Sequence, residues 1–253
     1  MGWLMWCYQI LCLQLVLLYS LSCANLCSNE QSSALLHFKQ LFSFSKDSSP
    51  SWDCDSSYPK MMDWKEDTDC CSWEGVSCDR VMGHVISLDL SCSWLQGNIP
   101  SNTSLFLLSH LQKLNLAYND FNLSQIPSDF VRFPNLTHLN LSHSNFFGQV
   151  PFQITHLSKL ISLNLCGYHL TLETLVMKGL VQNMSHLQEL DLYSVNMSTV
   201  ALEKLEEMMG RRDEVAGEVG GENRRQLEEV NRRQLEEDKW PAAARREMAA
   251  GRS

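Results

Sequence analysis

The sequence predicts an α/β solenoid, with short parallel strands on a concave face, a disulfide-stapled N-terminal cap and a charged tail that is disordered or helical. Three observations carry this reading. One short aliphatic phrase recurs five times between His84 and Val200. Most cysteines outside the apolar start of the chain precede that repeat, and the composition changes abruptly near residue 203.

The phrases are Val85-Ile-Ser-Leu-Asp-Leu90, Leu111-Gln-Lys-Leu-Asn-Leu116, Leu136-Thr-His-Leu-Asn-Leu141, Leu160-Ile-Ser-Leu-Asn-Leu165 and Leu187-Gln-Glu-Leu-Asp-Leu192. Their first residues lie 26, 25, 24 and 27 positions apart. That period and grammar are the signature of leucine-rich repeats, each a short strand plus a return segment. One such strand cannot bury its leucines alone, so neighbours stack around a continuous core. Five strands at roughly 4.8 Å span about 19 Å, room for a peptide or a small epitope.

Residues 1–24 are apolar and end in Ser22-Cys23-Ala24, which reads as a signal peptide. The twelve residues from Ile10 to Leu21 are too few for a membrane span. No later stretch suggests a transmembrane helix, so the chain is expected to be secreted. Removing the leader leaves Cys27, Cys54, Cys70, Cys71, Cys78, Cys92 and Cys166. Order alone leaves the connectivity open. The preferred pairing is Cys27 with Cys70 and Cys71 with Cys78, with Cys54 to Cys92 as a further candidate, leaving Cys166 as a thiol. An oxidising compartment favours this over zinc, and no metal or cofactor is expected.

The cap occupies 25–79. Ser28-Asn-Glu-Gln31 fits a capping box, and Leu35, Phe38, Leu41 and Phe42 follow at helical spacing, predicting a helix from about Glu30 to Phe42. Lys46 to Pro59 reads as a loop. Trp64 and Trp73 read as packing residues more readily than as ligand-binding ones. From Cys27 to Asp79 there are ten acids and four bases; from Arg80 to Leu202, six and five. The formal charge of -9 and the lack of a basic footprint exclude nucleic acid.

The order of Cys27, Ala34-Leu-Leu-His-Phe-Lys39, Trp64, Cys70-Cys71-Ser-Trp-Glu-Gly-Val-Ser-Cys78 and Gly83-His-Val-Ile-Ser-Leu-Asp-Leu90 resembles the N-terminal portion of plant leucine-rich-repeat receptor-like proteins, of the tomato leaf-mould resistance type. The resemblance runs from about Cys27 to Val200. It implies an extracellular, plasma-membrane-anchored family of immune receptors without a kinase domain, which recruit separate receptor kinases. Gly97-Asn-Ile-Pro100 and Gly148-Gln-Val-Pro151 match the plant-type return phrase, with Ser124-Gln-Ile-Pro127 as a variant.

The repeats occupy 80–202. Three positions after each last leucine, an asparagine normally feeds buried backbone groups; only Asn119 does so here, against Ser93, Ser144, Tyr168 and Val195. The last two repeats, with the longer insert 167–184, are therefore expected to be less regular. The concave-face candidates are Lys113, Asn115, Tyr118, His138, Asn140, His143, Asn164, Glu189, Asp191 and Tyr193, with both tyrosines as anchors. The Asp or Asn between paired leucines recurs in every repeat, which points to scaffold rather than specificity. Near a pKa of about 6.5, His138 and His143 would charge in mildly acidic wall fluid and favour acidic ligands such as pectic fragments. Sequons at Asn102, Asn122, Asn135, Asn140, Asn183 and Asn196 fit a glycosylated surface.

No residues converge as a catalytic constellation, so no enzyme is expected. The expected function is extracellular recognition: a protein or peptide ligand, or a receptor-kinase ectodomain, bound in the apoplast for defence. The alternatives are an inhibitor of cell-wall-degrading enzymes, resembling polygalacturonase-inhibiting proteins, and a non-functional gene fragment. The tail, 203–253, has eleven bases, thirteen acids and the repeated phrase Asn-Arg-Arg-Gln-Leu-Glu-Glu. Its eight-residue period cannot hold a coiled-coil seam. A truncated or rearranged gene end is the expectation there.

Overall fold

The chain enters the solenoid through a helix, α1 (Asn29–Lys39), capped by Ser28. Ser28 Oγ accepts the Gln31 backbone N–H at 3.3 Å, one half of the expected capping box. The other half is redirected. Gln31 Oε1 accepts the Val85 N–H at 2.8 Å, and its Nε2 donates to the Gly83 carbonyl at 3.4 Å. Its Nε2 also donates to Ser28 Oγ at 3.1 Å, so the one side chain both closes on the cap residue and ties the helix to the first repeat. The computed structural model describes residues 3, 5–6, 8–14, 27–48, 54 and 57–198. Residues 15–26, with the end of the expected signal peptide, and the charged segment 199–253 lie outside the described residues.

The helix stops three residues short of the expected end. Phe42–Phe44 (β1) leaves it to pair antiparallel with a later strand, Leu95–Gly97. Phe42 then stands edge-on between Phe38 (5.0 Å) and Phe121 (5.9 Å). Sheet pairing and aromatic packing outweigh one further helical turn. The rest of the cap is held by cystines, Cys27 with Cys70, Cys71 with Cys78 and Cys54 with Cys92. Trp64 and Trp73 stack at 5.2 Å and are buried; their indole N–H groups donate to the Glu74 carbonyl and to Thr68.

The concave sheet has six strands. Val76–Cys78 (β2) belongs to the cap and runs antiparallel to Val85–Asp89 (β3). Lys113–Asn115, His138–Asn140, Ser162–Asn164 and Glu189–Asp191 follow in parallel and in register. The register aligns Leu88, Leu114, Leu139, Leu163 and Leu190, all buried, so each leucine packs on its counterpart one strand away. The cap strand was not expected. It covers the backbone edge that repeat one would otherwise leave unpaired, and sheet edges invite association. Gly75 makes this approach feasible: φ is +82°, and an added Cβ would collide with the Asp89 carbonyl.

In chain order the strands are completed by Leu95–Gly97 (β4), Lys113–Asn115 (β5), His138–Asn140 (β6), Gly148–Gln149 (β7), Ser162–Asn164 (β8), Leu170–Thr171 (β9) and Glu189–Asp191 (β10). β1 with β4, and β7 with β9, make short second sheets at the return phrases. Repeats one to three return through 3₁₀ turns at Ser104–Leu107, Ser128–Arg132 and Phe152–His156. The longer insert instead forms a helix, α2 (Thr174–Asn183), which buries Val176, Met177, Leu180 and Val181.

The asparagine ladder is complete only once. Asn119 Nδ2 donates to the carbonyls of Leu90 (2.8 Å), Leu116 (3.0 Å) and Ala117 (3.1 Å), while its Oδ1 accepts the N–H groups of Ser93 and Leu95. Ser144 reaches the Leu116 and Ser142 carbonyls with its hydroxyl. Tyr168 is 63% exposed and so does not enter the core.

Two substitutions probe this core. Asn119→Ala orphans buried donors and acceptors in two repeats, and denaturant unfolding is expected to show a loss of about 2–4 kcal/mol. At Gly179 an added Cβ would sit 2.6–2.9 Å from side-chain atoms of buried Thr155. Helix propensity alone would favour alanine by about 1 kcal/mol. Gly179→Ala is nevertheless expected to lower stability by about 1–3 kcal/mol, because overpacking moves backbone. A stability gain would contradict the close packing of α2 on the third repeat.

Candidate functional site: the concave face

The parallel register sorts the concave side chains into rows that cross the strands. One row is Asp89, Asn115, Asn140, Asn164 and Asp191. In all five, Oδ1 accepts the backbone N–H two residues on, at 3.0–3.1 Å. The chain turns out of the strand at that point, and the side chain satisfies a donor the ladder cannot reach. Asn164 Nδ2 also donates to Asp191 Oδ2 at 3.1 Å. This row is committed to the scaffold, which limits what Asn115, Asn140, Asn164 and Asp191 can offer a ligand.

The neighbouring row, Ser87, Lys113, His138, Ser162 and Glu189, is different. Lys113 and Glu189 are exposed and make no side-chain hydrogen bond to another described residue. A cation therefore lies over the second repeat and an anion over the fifth, three strand spacings or roughly 14 Å apart. His138 sits between them, with Nδ1 at 2.8 Å from Thr137 Oγ1. Burial, and then Lys113, lower its pKa from the ordinary value, against a weaker pull from Glu189. The expectation that His138 charges near 6.5 is thus corrected: it stays neutral further into acid.

The two tyrosines lie in different rows: Tyr193 follows its last leucine by one residue and Tyr118 by two. Tyr118 is half-buried and stacks on His143 at 4.9 Å, with 12° between the planes. Tyr193 is 39% exposed. Across the third and fourth repeats, His143 Nε2 lies 3.2 Å from Cys166 Sγ. These residues line a hollow of about 190 Å³ with Tyr168 and His169.

The cap contributes residues that the repeat pattern does not announce. Lys60 Nζ reaches Asp89 Oδ1 at 3.2 Å, the Asp89 carbonyl at 3.3 Å and Ser91 Oγ at 3.4 Å. Burial disfavours the Asp89 carboxylate, but Ser91 and Lys60 together outweigh it and hold its pKa below the ordinary range. Tyr58 donates its hydroxyl to Glu74 Oε1 at 2.8 Å and hydrogen-bonds its backbone N–H to the Cys92 carbonyl. The Cys54–Cys92 link and this backbone bond join the Lys60 contacts in holding the 57–60 segment over repeat one, and none of them can be read from periodicity.

Sulfur atoms of Cys27, Cys70 and Cys71 lie within 4.8 Å of one another. All three are cystine halves, so they are not thiolate ligands. Among the sequons, Asn102, Asn122, Asn183 and Asn196 are exposed. Asn135 donates to the Ser109 carbonyl and accepts from Lys159, and Asn140 serves the scaffold row. Among the described residues, no helix is long and apolar enough to cross a membrane.

Residues 28–79 match the leucine rich repeat N-terminal domain. Over 199 residues the chain is 46% identical to the receptor-like protein Cf-9 of Solanum pimpinellifolium, covering 76% of this chain and 23% of that protein. With receptor-like protein 6 of Arabidopsis thaliana it shares 40% over 192 residues, 68% of this chain and 19% of the relative. The matched region belongs to the plant leucine-rich-repeat receptor-like proteins. The chain spans about a fifth of the length of those relatives. Among solved structures, the PEPR1–AtPEP1 structure superimposes with a TM-score of 0.51 at 26% identity, covering 64% of this chain and 21% of that one. In the receptor-like region of this chain, then, the polar side of the sheet is built from one scaffold row and one row left open.

The His138 shift has a defined sign. Its folded pKa lies below the unfolded value of about 6.5. Neutral His138 therefore supports the fold above that pH, and the contribution falls away as pH drops through the lowered folded value. NMR titration of the folded protein is expected to give a His138 midpoint below 6.5, rising when Lys113 is replaced by Gln. A midpoint at or above 6.5 would contradict the assigned environment.

Proposed function

We propose that the described region is a non-catalytic extracellular recognition module of the receptor-like protein kind. It docks an extracellular protein or peptide ligand, or the ectodomain of a receptor kinase, on its concave strands, in defence signalling at the plant cell surface. The observation that supports this reading most is the Lys113–His138–Ser162–Glu189 row. It crosses the sheet without a shared scaffold bond, while every residue of the adjacent row gives a side-chain oxygen to a local hydrogen bond.

A surface with opposite charges at its two ends selects by complementarity more than by area. A fitting partner places an acidic group over Lys113 and a basic group over Glu189. The scaffold pays no rearrangement for this, since the side chains are already displayed by a rigid sheet. Similarity to the solved PEPR1–AtPEP1 structure and to the receptor-like relatives supports a recognition role for this region.

The test is charge reversal. Lys113→Glu and Glu189→Lys are each expected to weaken binding to an extracellular peptide or receptor-kinase ectodomain captured by the wild-type protein. The expected loss is about tenfold, or ~1.4 kcal/mol, with the thermal midpoint unchanged. Unaltered affinity in both variants, measured by calorimetry against the same partner, would place recognition elsewhere.

A further inference from the structure

Among the described residues, Cys166 is the buried cysteine outside the cystines of the cap, and its thiol does not stand alone. The imidazole of His143 is held against it, Nε2 to Sγ at 3.2 Å, and that ring is backed on its other side by Tyr118 at 4.9 Å. The pair lies on the wall of the 190 Å³ hollow between the third and fourth repeats, which Tyr168 and His169 also line. Cys166 itself is 5% exposed, so access to the sulfur runs through the hollow.

From this geometry we infer that Cys166 is a site of covalent modification by thiol–disulfide exchange, taking an amino-acid-sized thiol from a small disulfide such as cystine. A thiolate, not a thiol, attacks a disulfide. With its Nδ1–H tautomer, His143 accepts the Cys166 proton at Nε2. The thiolate then forms a bond to one sulfur of the disulfide, and the S–S bond of that reagent breaks. The departing thiolate takes the proton back from the imidazolium, so the step is balanced without any further oxidant. His143 is a general base and acid here, and the stacked phenol ring of Tyr118 fixes its plane.

The size of the hollow sets the class of adduct. Sites for drug-sized ligands hold about 300–1,000 Å³. A 190 Å³ hollow matches a half-cystine in size better than the longer tripeptide of glutathione. The adduct fills the edge of the concave face beside Tyr118 and His143. A compartment that keeps the cap cystines oxidised also supplies the disulfide reagent.

The purified full chain with its cystines intact, incubated with cystine at neutral pH, is expected to gain one half-cystine. Peptide mapping is expected to place it on Cys166, with glutathione disulfide reacting at least about tenfold more slowly. His143→Gln is expected to slow the cystine reaction by about tenfold or more, since positioned proton transfer typically contributes at least that much. Circular dichroism matching wild type keeps that comparison to folded protein, and Tyr118→Phe, which retains the ring, is expected to react at the wild-type rate. Adduct formed only after denaturation, equal labelling in Cys166→Ser, or an unchanged rate in folded His143→Gln would each overturn the assignment.

Discussion

Each repeat hands its last strand donors to the next one. The N–H of Leu90 goes to the Asn115 carbonyl, that of Leu116 to Asn140, that of Leu141 to Asn164 and that of Leu165 to Asp191. A strand of three to five residues cannot bury its leucines or satisfy its backbone by itself. Fixed register follows, because a slip of one residue would send every inward leucine to the solvent side. The stacked leucines and the interlocking bonds are thus one constraint seen twice. It accounts for the regular period, for the rows on the concave face and for the need to close the first edge.

Closure is the work of the cap, and it is achieved at several levels of strength. The antiparallel strand β2 supplies backbone partners, the cystines limit the unfolded chain, and Gln31 carries the helix onto β3. Lys39 adds a further clasp. Its Nζ donates to the carbonyls of Met62 and Trp64, and burial lowers its pKa despite the attraction of Asp63. An ammonium that gives up water in this way must use its donors on the protein, and it does. Lys39 thus holds the cap together, while Gln31 fastens it to the repeats beside an apolar spine from Phe38 through Phe42 and Phe121 to Phe146.

Periodicity made the strands, the leucine core and the scaffold asparagines legible, since every repeat states them again. The cystine pairs were legible as a preference, because adjacent Cys70 and Cys71 need separate partners. What stayed hidden has a common physical cause: it depends on contacts between segments distant in the chain. β1 looks like the end of a helix until β4 is there to pair with it. Lys60 looks like one lysine in a polar loop until Cys54–Cys92 draws that loop across Asp89. α2 appeared only as extra length in one repeat, although Val176, Met177, Leu180 and Val181 already had helical spacing. The tyrosines were grouped by residue type, and the register separates them.

The same distinction governs where specificity can reside. A residue repeated in every turn of a solenoid faces the same backbone each time, and selection on that contact fixes its identity. Asn115, Asn140 and Asn164 are conformationally occupied in this sense, each with an oxygen held by the amide two residues away. A residue that changes from repeat to repeat is under no such demand. Lys113, His138, Ser162 and Glu189 share a row and no chemistry, so the scaffold cannot be the reason for them. The capacity of the sheet to tell one partner from another must lie in such positions, and it rests on a neighbouring row that frees them by doing the structural work.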